Sequence, residues 1–366
     1  MFHFLKIQNK VKFCRFINTK KFADVHEEVL VCTDYSLDKI QNHFKDIVFS
    51  IIGYGPQGRA QAQNLRDNGL RVIVGLRPGN SYDEALKDGF IPNHSLYSIE
   101  DAVSRGNIIM NLLSDAGQKI TWEKSILPYL NQDKTLCFSH GFSIVYKEQT
   151  LVIPPTNMDV IMVAPKGTGR TLRTSFKEGK GVNSSIAVYQ NASGKADETV
   201  KHLGFAIGSG YLYRTTFQNE VYSDLVGERG VLMGAIQGAF LAQYNILREN
   251  GHSPSESFNE TVEEATQSLI PLIGEHGMDW MYSNCSTTAQ RGAIDWYPKF
   301  EQALKPVFKE LYESVRNGIE TKIVLDQNND KEYRKKLQIE LDYIGNLEIW
   351  RTGKTVRELR KIPISK

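Results

Sequence analysis

Residues 53–58 read GYGPQG, directly after the apolar run 47–52 and directly before RAQAQNLRDNG. That order predicts strand, tight turn and helix. Gly53, Gly55 and Gly58 then fall where a dinucleotide fold needs them. One makes the turn, one admits a pyrophosphate close to the backbone, and one lets the helix pack on the strand. The N-terminus of the helix adds unpaired N–H groups and a favourable dipole for an anion. A glycine-rich turn alone is common, and its flanking strand and helix give this one its meaning. The candidate cofactor contacts are Gly53, Tyr54, Gly55, Gln57 and Gly58.

The next strand, RVIVGL, ends in Arg77, Pro78, Gly79, Asn80 and Ser81. NAD-specific folds place an acid about 20 residues past the glycines to grip the ribose hydroxyl. Here the first acid is Asp83, and a guanidinium and a hydroxyl precede it. Arg77 and Ser81 suit a 2′-phosphate, so NADPH is expected over NADH. A solvated loop with an incidental arginine is the plainer alternative.

The 366 residues suffice for two domains with proper cores. Hydrophobic content of 41% and charged content of 23% are ordinary for a globular chain. A net charge of +2 gives no reason to expect nucleic acid or a membrane surface as partner. Cys14, Cys32, Cys137 and Cys285 are scattered without a CxxC, which indicates neither zinc nor a disulfide framework. No apolar run reads as long and pure enough to span a bilayer.

Residues 1–23 stand apart, with six Lys or Arg and no acid before Asp24, interleaved with bulky apolar residues. This is the pattern of a mitochondrial targeting segment, addressed to the matrix, although it carries more lysine than arginine and little serine. A basic tail without that role is the alternative.

From about residue 46, strand-like runs at 47–52, 72–76, 108–113, 135–139, 160–163 and 185–188 alternate with helix-like stretches. Such alternation predicts a parallel sheet with helices on both faces. From residue 216 onward almost only helical stretches follow. The expected organisation is a Rossmann domain over 40–215 and a helical domain over 216–363. Within the second, residues 230–246 carry no charge. A helix so apolar is expected in a core, and Gln237, Gln243 and Asn245 argue against a membrane span. Gly230, Gly234, Gly238 and Ala242 recur every four residues, giving a bare face against which another helix is expected to pack.

Asp224 and Glu228 lie four apart just before that helix, and Glu260 and Glu264 lie four apart in FNETVEEATQ. Each pair shares a helix face, where like charges repel. A solvated surface would explain either pair alone. At the mouth of a buried helix, however, bare carboxylates are costly. A divalent cation would resolve the conflict, and all-oxygen ligands point to Mg²⁺, as one or two ions. Pairing with Arg229 or Arg248 would resolve it equally.

GYGPQG, FSHGF, VAPKG, DLVGERG, NETVEEA and NCSTTA occur in that order. Together they resemble the motifs of ketol-acid reductoisomerase over about residues 40–360, in wording nearest the fungal mitochondrial form. The resemblance implies an NADPH-binding Rossmann domain followed by a knotted helical domain. It implies a reaction on 2-hydroxy-3-keto acids: alkyl migration of 2-acetolactate or its ethyl homologue, then reduction to the 2,3-dihydroxy acid. It assigns two Mg²⁺ to Asp224, Glu228, Glu260 and Glu264, substrate binding to Ser286, and active-site roles to His140, Lys166 and Glu260. GTG follows Lys166 where many bacterial members have proline, in a loop expected only to line the site. The chain lacks the long helical duplication of the larger class, which implies a homodimer or higher oligomer. A hydride-transferring hydroxyacid dehydrogenase would need no paired carboxylates, and a catalytically silent binding protein would not need the full ligand set.

Overall fold

The computed structural model describes residues 19–361, so positions 1–18 of the basic N-terminal segment lie outside the described residues. The chain divides into two compact units, one ending at Glu220 and one beginning at Val221.

The first unit opens with β1 (Thr19–Phe22), β2 (Val25–Val31) and α1 (Leu37–His43). Next come β3 (Val48–Ile52), α2 (Pro56–Asp67), β4 (Arg71–Gly75), α3 (Asn80–Lys87), β5 (Leu96–Tyr97) and α4 (Ile99–Arg105). Then follow β6 (Ile108–Asn111), α5 (Asp115–Thr121), β7 (Thr135–Phe138), α6 (Phe142–Val145), α7 (Lys147–Thr150) and β8 (Asp159–Pro165). The unit closes with α8 (Gly169–Lys177), β9 (Val182–Gln190), α9 (Ala196–Ala206) and β10 (Ser209–Arg214). The sheet order is β1-β2-β10-β9-β8-β7-β6-β3-β4-β5.

The apolar runs are strands because the sheet is buried on both faces. Phe49, Ile51, Met110 and Cys137 enter one core, while Ile52, Ile109, Leu136 and Phe138 enter the other. β3 lies parallel between β4 and β6, with the chain growing outward to β5 on one side and then to β8 on the other. That reversal leaves a crevice at the C-terminal ends of β3 and β6, where such sheets bind ligands.

The sheet is mixed rather than parallel. β9 runs antiparallel to β8, with Pro165 opposite Ser184. The reason lies in α8, which packs beside α2 instead of carrying the chain to the far end of the sheet. The chain therefore re-enters at the end it left. β2 also runs antiparallel, on β10, and β1 pairs back on β2. Residues 19–31, assigned no strand from sequence, thus form the sheet edge; their outer positions are charged, which masks the apolar alternation. Arg214 holds β2 in place by donating to Glu28 at 2.5 Å and to Asp197 at 2.6 Å.

Every described element after β10 is helical. α10 (Phe217–Gly227) passes into a π-helical turn, Glu228–Leu232, and then α11 (Gly234–Glu249). α12 (Pro254–Phe258) continues through π-helical turns Asn259–Glu263 and Ala265–Leu269 into α13 (Ile270–His276). α14 (Met278–Ser283), α15 (Thr287–Arg316), α16 (Ile319–Asn329), α17 (Tyr333–Asn346) and α18 (Glu348–Leu359) complete the unit. One core cluster joins Tyr244, Phe258, Val262 and Ile349.

Residues 230–246 do not form the buried, continuous helix expected. Gly230 adopts non-helical backbone angles and α11 starts afresh at Gly234. Val231 and Leu232 are 66% and 67% exposed, and only Tyr244 of α11 is buried. The glycine face is not packed as a whole. A Cβ on Gly230 would stand 2.8 Å from the Phe308 ring, but one on Gly238 would meet open space. Low helix propensity at the glycines allows the break, and among the described residues nothing covers Val231, Leu232 and Met233. Contrary to expectation, Phe217–Glu249 counted as one helix is long and apolar enough to cross a membrane, its most apolar 18-residue stretch having a mean hydropathy of 1.2. The break at Gly230 and the charges of Glu220, Asp224, Glu228 and Arg229 interrupt it.

Candidate active site

The glycine turn is built by contacts that exclude side chains. Gly53 has φ +98°, and a Cβ there would stand 2.8 Å from the Leu112 carbonyl oxygen. A Cβ on Gly58 would stand 2.2 Å from the Gly53 oxygen, so helix and strand pack directly. Gly55, the N-cap of α2, is different, since a Cβ there would meet open space. The backbone N–H groups of the first turn of α2 thus border an uncrowded hollow, which fits a pyrophosphate.

Gln57 donates to the Gly167 carbonyl at 2.9 Å, and Gln61 donates to Ser139 at 2.9 Å. These bonds join α2 to the loops after β8 and β7. The side chain of Tyr54 turns inward, and its hydroxyl donates to Asp88 at 2.9 Å. Arg77 and Ser81 are both exposed, between the end of β4 and the first turn of α3.

His140 follows β7 and Lys166 follows β8, adjacent strands in parallel register. Both reach one residue that the sequence reading did not single out, Glu220. His140 Nδ1 lies 3.1 Å from Glu220 Oε2, and Lys166 Nζ donates to Oε1 at 2.9 Å. The Gly141 N–H donates to Oε2 at 2.8 Å. The Glu220 side chain is only 1% exposed. Burial pushes its carboxyl upward, but the bonds and charges of His140 and Lys166 outweigh that and hold it at about 2. The site is therefore built around a buried carboxylate. Gly141 permits this, because a Cβ there would stand 2.3 Å from the Phe217 carbonyl oxygen where α10 begins.

A signal for Glu220 was present. It precedes Asp224 by four residues and Glu228 by eight, so three acids form one stripe. Asp224 lies one turn beyond Glu220 on α10, and Glu228 opens the π-helical turn. Neither is buried, so the desolvation argument for a metal does not apply here. The arginine alternative weakens as well. Arg229 donates to Glu320 at 2.8 Å and stands 3.8 Å from Glu228, while Arg248 donates to Glu348. Glu260 and Glu264 are exposed on the π-helical continuation of α12, whereas Glu263 between them pairs with Arg360. Such turns inside helices are frequent at functional sites. Accessible oxygen donors on both pairs fit a hard divalent cation. Ser286 caps α15, accepting from the Ala289 N–H at 3.2 Å.

A glycine turn at the switch strand, polar groups at neighbouring strand ends and a helical second unit define a two-domain, nicotinamide-dependent oxidoreductase. Residues 43–212 match the acetohydroxy acid isomeroreductase NADPH-binding domain, and residues 217–362 match the ketol-acid reductoisomerase C-terminal domain. The chain belongs to the ketol-acid reductoisomerase family. It is 60% identical over 347 residues to the mitochondrial ketol-acid reductoisomerase of Neurospora crassa, covering 94% of this chain and 86% of that one. The mitochondrial enzyme of Saccharomyces cerevisiae is 59% identical over 93% of this chain and 86% of its own length. The solved NADH-preferring ketol-acid reductoisomerase of an uncultured archean superposes with a TM-score of 0.80 at 32% identity, covering 91% of this chain and 99% of that one.

Proposed function

We propose that the chain converts 2-acetolactate or 2-aceto-2-hydroxybutyrate into the 2,3-dihydroxy acid, in valine and isoleucine biosynthesis. The observation that carries this reading is the buried Glu220 carboxylate gathering His140 and Lys166 at the start of an acidic helix. When bound, two Mg²⁺ would polarise the ketone and tertiary alcohol, and NADPH would supply the hydride. Asp224, Glu228, Glu260 and Glu264 would hold the ions. Lys166, fixed by Glu220, places an ammonium beside the oxygen that gains charge during migration and reduction. Glu260 accepts the proton from the tertiary alcohol oxygen. His140 and Ser286 orient the polar end of the substrate.

Arg77 and Ser81 are the proposed 2′-phosphate contacts, giving NADPH preference. The archaeal relative is named NADH-preferring, so the cofactor choice is not fixed by the fold alone. The exposed Val231, Leu232 and Met233 support a homodimer or larger oligomer that covers them. The relatives named mitochondrial support a mitochondrial location, and we assign matrix targeting to the basic residues 1–23.

The test is NADPH oxidation with 2-acetolactate, with and without Mg²⁺. Turnover should require both the substrate and the metal. Turnover that persists in a chelator would instead indicate a simple hydride-transferring dehydrogenase.

A further inference from the structure

Arg59, in the first turn of α2, forks onto the far end of α3. Its Nε and Nη2 donate to Asp88 Oδ2 and Oδ1 at 2.6 and 2.8 Å, and its Nη1 donates to Glu84 Oε2 at 2.9 Å. Tyr54 of the glycine turn donates its hydroxyl to the same Asp88 Oδ2 at 2.9 Å. Arg66, also on α2, donates to the Asp88 carbonyl oxygen at 2.8 Å. The turn and the helix that follows it therefore converge on the one residue that caps α3. Neither the reaction chemistry nor the metal pairs make use of this arrangement.

α3 has eight residues and so spans roughly 12 Å, a rigid two-turn rod. Asp88 stands at one end, with Ser81 and Arg77 at the other. Fixing the capped end fixes where the Arg77–Ser81 loop meets a ligand that already lies on the glycine turn. We infer that Arg59 and Asp88 are positioning residues for the cofactor's 2′-phosphate, locking α3 onto the glycine turn so that Arg77 and Ser81 reach that phosphate. This rests on the reading that Arg77 and Ser81 bind it.

Charge and position make opposite demands here. Were Arg59 important only because it offsets Asp88 and Glu84, removing the Asp88 charge would favour an added phosphate. If the fork sets geometry, the same change releases α3 and weakens phosphate recognition. Lysine at position 59 keeps the charge but cannot fork.

The experiment is calorimetric titration of the full chain and its Asp88→Asn, Arg59→Lys and Tyr54→Phe variants with NADPH, NADH and adenosine 2′,5′-bisphosphate. Asp88→Asn and Arg59→Lys should weaken NADPH and the bisphosphate about tenfold, while NADH stays within about twofold. Tyr54→Phe, which removes one donor without altering charge, should shift the same ligands in the same direction by less. Tighter NADPH binding by Asp88→Asn, or equal losses for both dinucleotides, would overturn the inference. If the parent chain binds NADH as tightly as NADPH, or Arg77→Ala leaves their ratio unchanged, the reading of the loop falls and the inference with it. If Arg77→Ala abolishes the preference while the fork variants keep it, the inference alone falls.

Discussion

Gly169 has no room for a side chain, because its Cβ would stand 2.0 Å from the carbonyl oxygen of Pro56. The loop carrying Lys166 therefore rests on the turn proposed to seat the cofactor. Gln57 reinforces the contact through its bond to Gly167. The loop thus does more than line the site, since the segment after Lys166 and the glycine turn are packed as one piece.

Gly169→Ala should disturb both partners at once. Overpacking at backbone typically costs ~1–3 kcal/mol, and here the strain falls on the first turn of α2. We expect a lower melting temperature, a raised KM for NADPH and a reduced kcat. A variant that melts lower but keeps both kinetic constants would separate the loop from the cofactor site.

Glu220→Gln leaves Lys166 and His140 without their buried anion. Breaking such a pair should cost ~3 kcal/mol in denaturant unfolding, and kcat should fall on the order of a hundredfold as Lys166 loses its orientation. The linkage to pH has a definite sign. The folded carboxyl titrates at about 2, below its usual 4.5. Its contribution is therefore complete above the unfolded value and is lost as pH falls through that range. Between those two values the stability of the parent chain should fall more steeply than that of Glu220→Gln.

Arg77→Asp should weaken NADPH far more than NADH, by roughly a hundredfold against a fewfold change. Steady-state kinetics with each cofactor gives the answer. Equal losses would assign the loop another role.

Asp224→Asn should abolish turnover of 2-acetolactate. Glu260 or Glu264 substitutions should harm the rearrangement more than reduction of 3-hydroxy-3-methyl-2-oxobutanoate, whose methyl group has already migrated. If the second pair comes from a partner copy, mixing inactive Asp224→Asn and Glu264→Gln chains should restore part of the activity. Subunit exchange without recovery would put all four carboxylates to work within one chain.

A chain beginning at Asp24 should keep its kcat in vitro yet remain cytosolic in cells. Continued mitochondrial import of that form would refute the targeting role.

The Rossmann half was legible because a sheet buried on both faces writes itself as apolar runs broken by turns. The glycine turn carried the most information, since each of its glycines answers a separate steric demand. The antiparallel β9 was not legible, because strand direction depends on where α8 packs and not on β9's own residues. Residues 230–246 misled for a related reason. Composition reports that apolar side chains need cover, but not whether the same chain provides it. Glu220 was visible only as the first acid of a stripe with Asp224 and Glu228. Its meaning came from Gly141 and Lys166, far away in sequence, closing around it.

The strand β1 ends the sheet order. It lies on the open margin of the sheet, every residue exposed, and two of its four residues are Lys20 and Lys21. Charged side chains on a margin discourage a second molecule from adding its own strand there. Removing β1 would pass that margin to β2, which is longer and holds Val25, Val29 and Val31. Proteolytic maturation that stopped short of Thr19 would therefore leave the molecule a guard against stacking with its neighbours, and maturation that went beyond Phe22 would strip it.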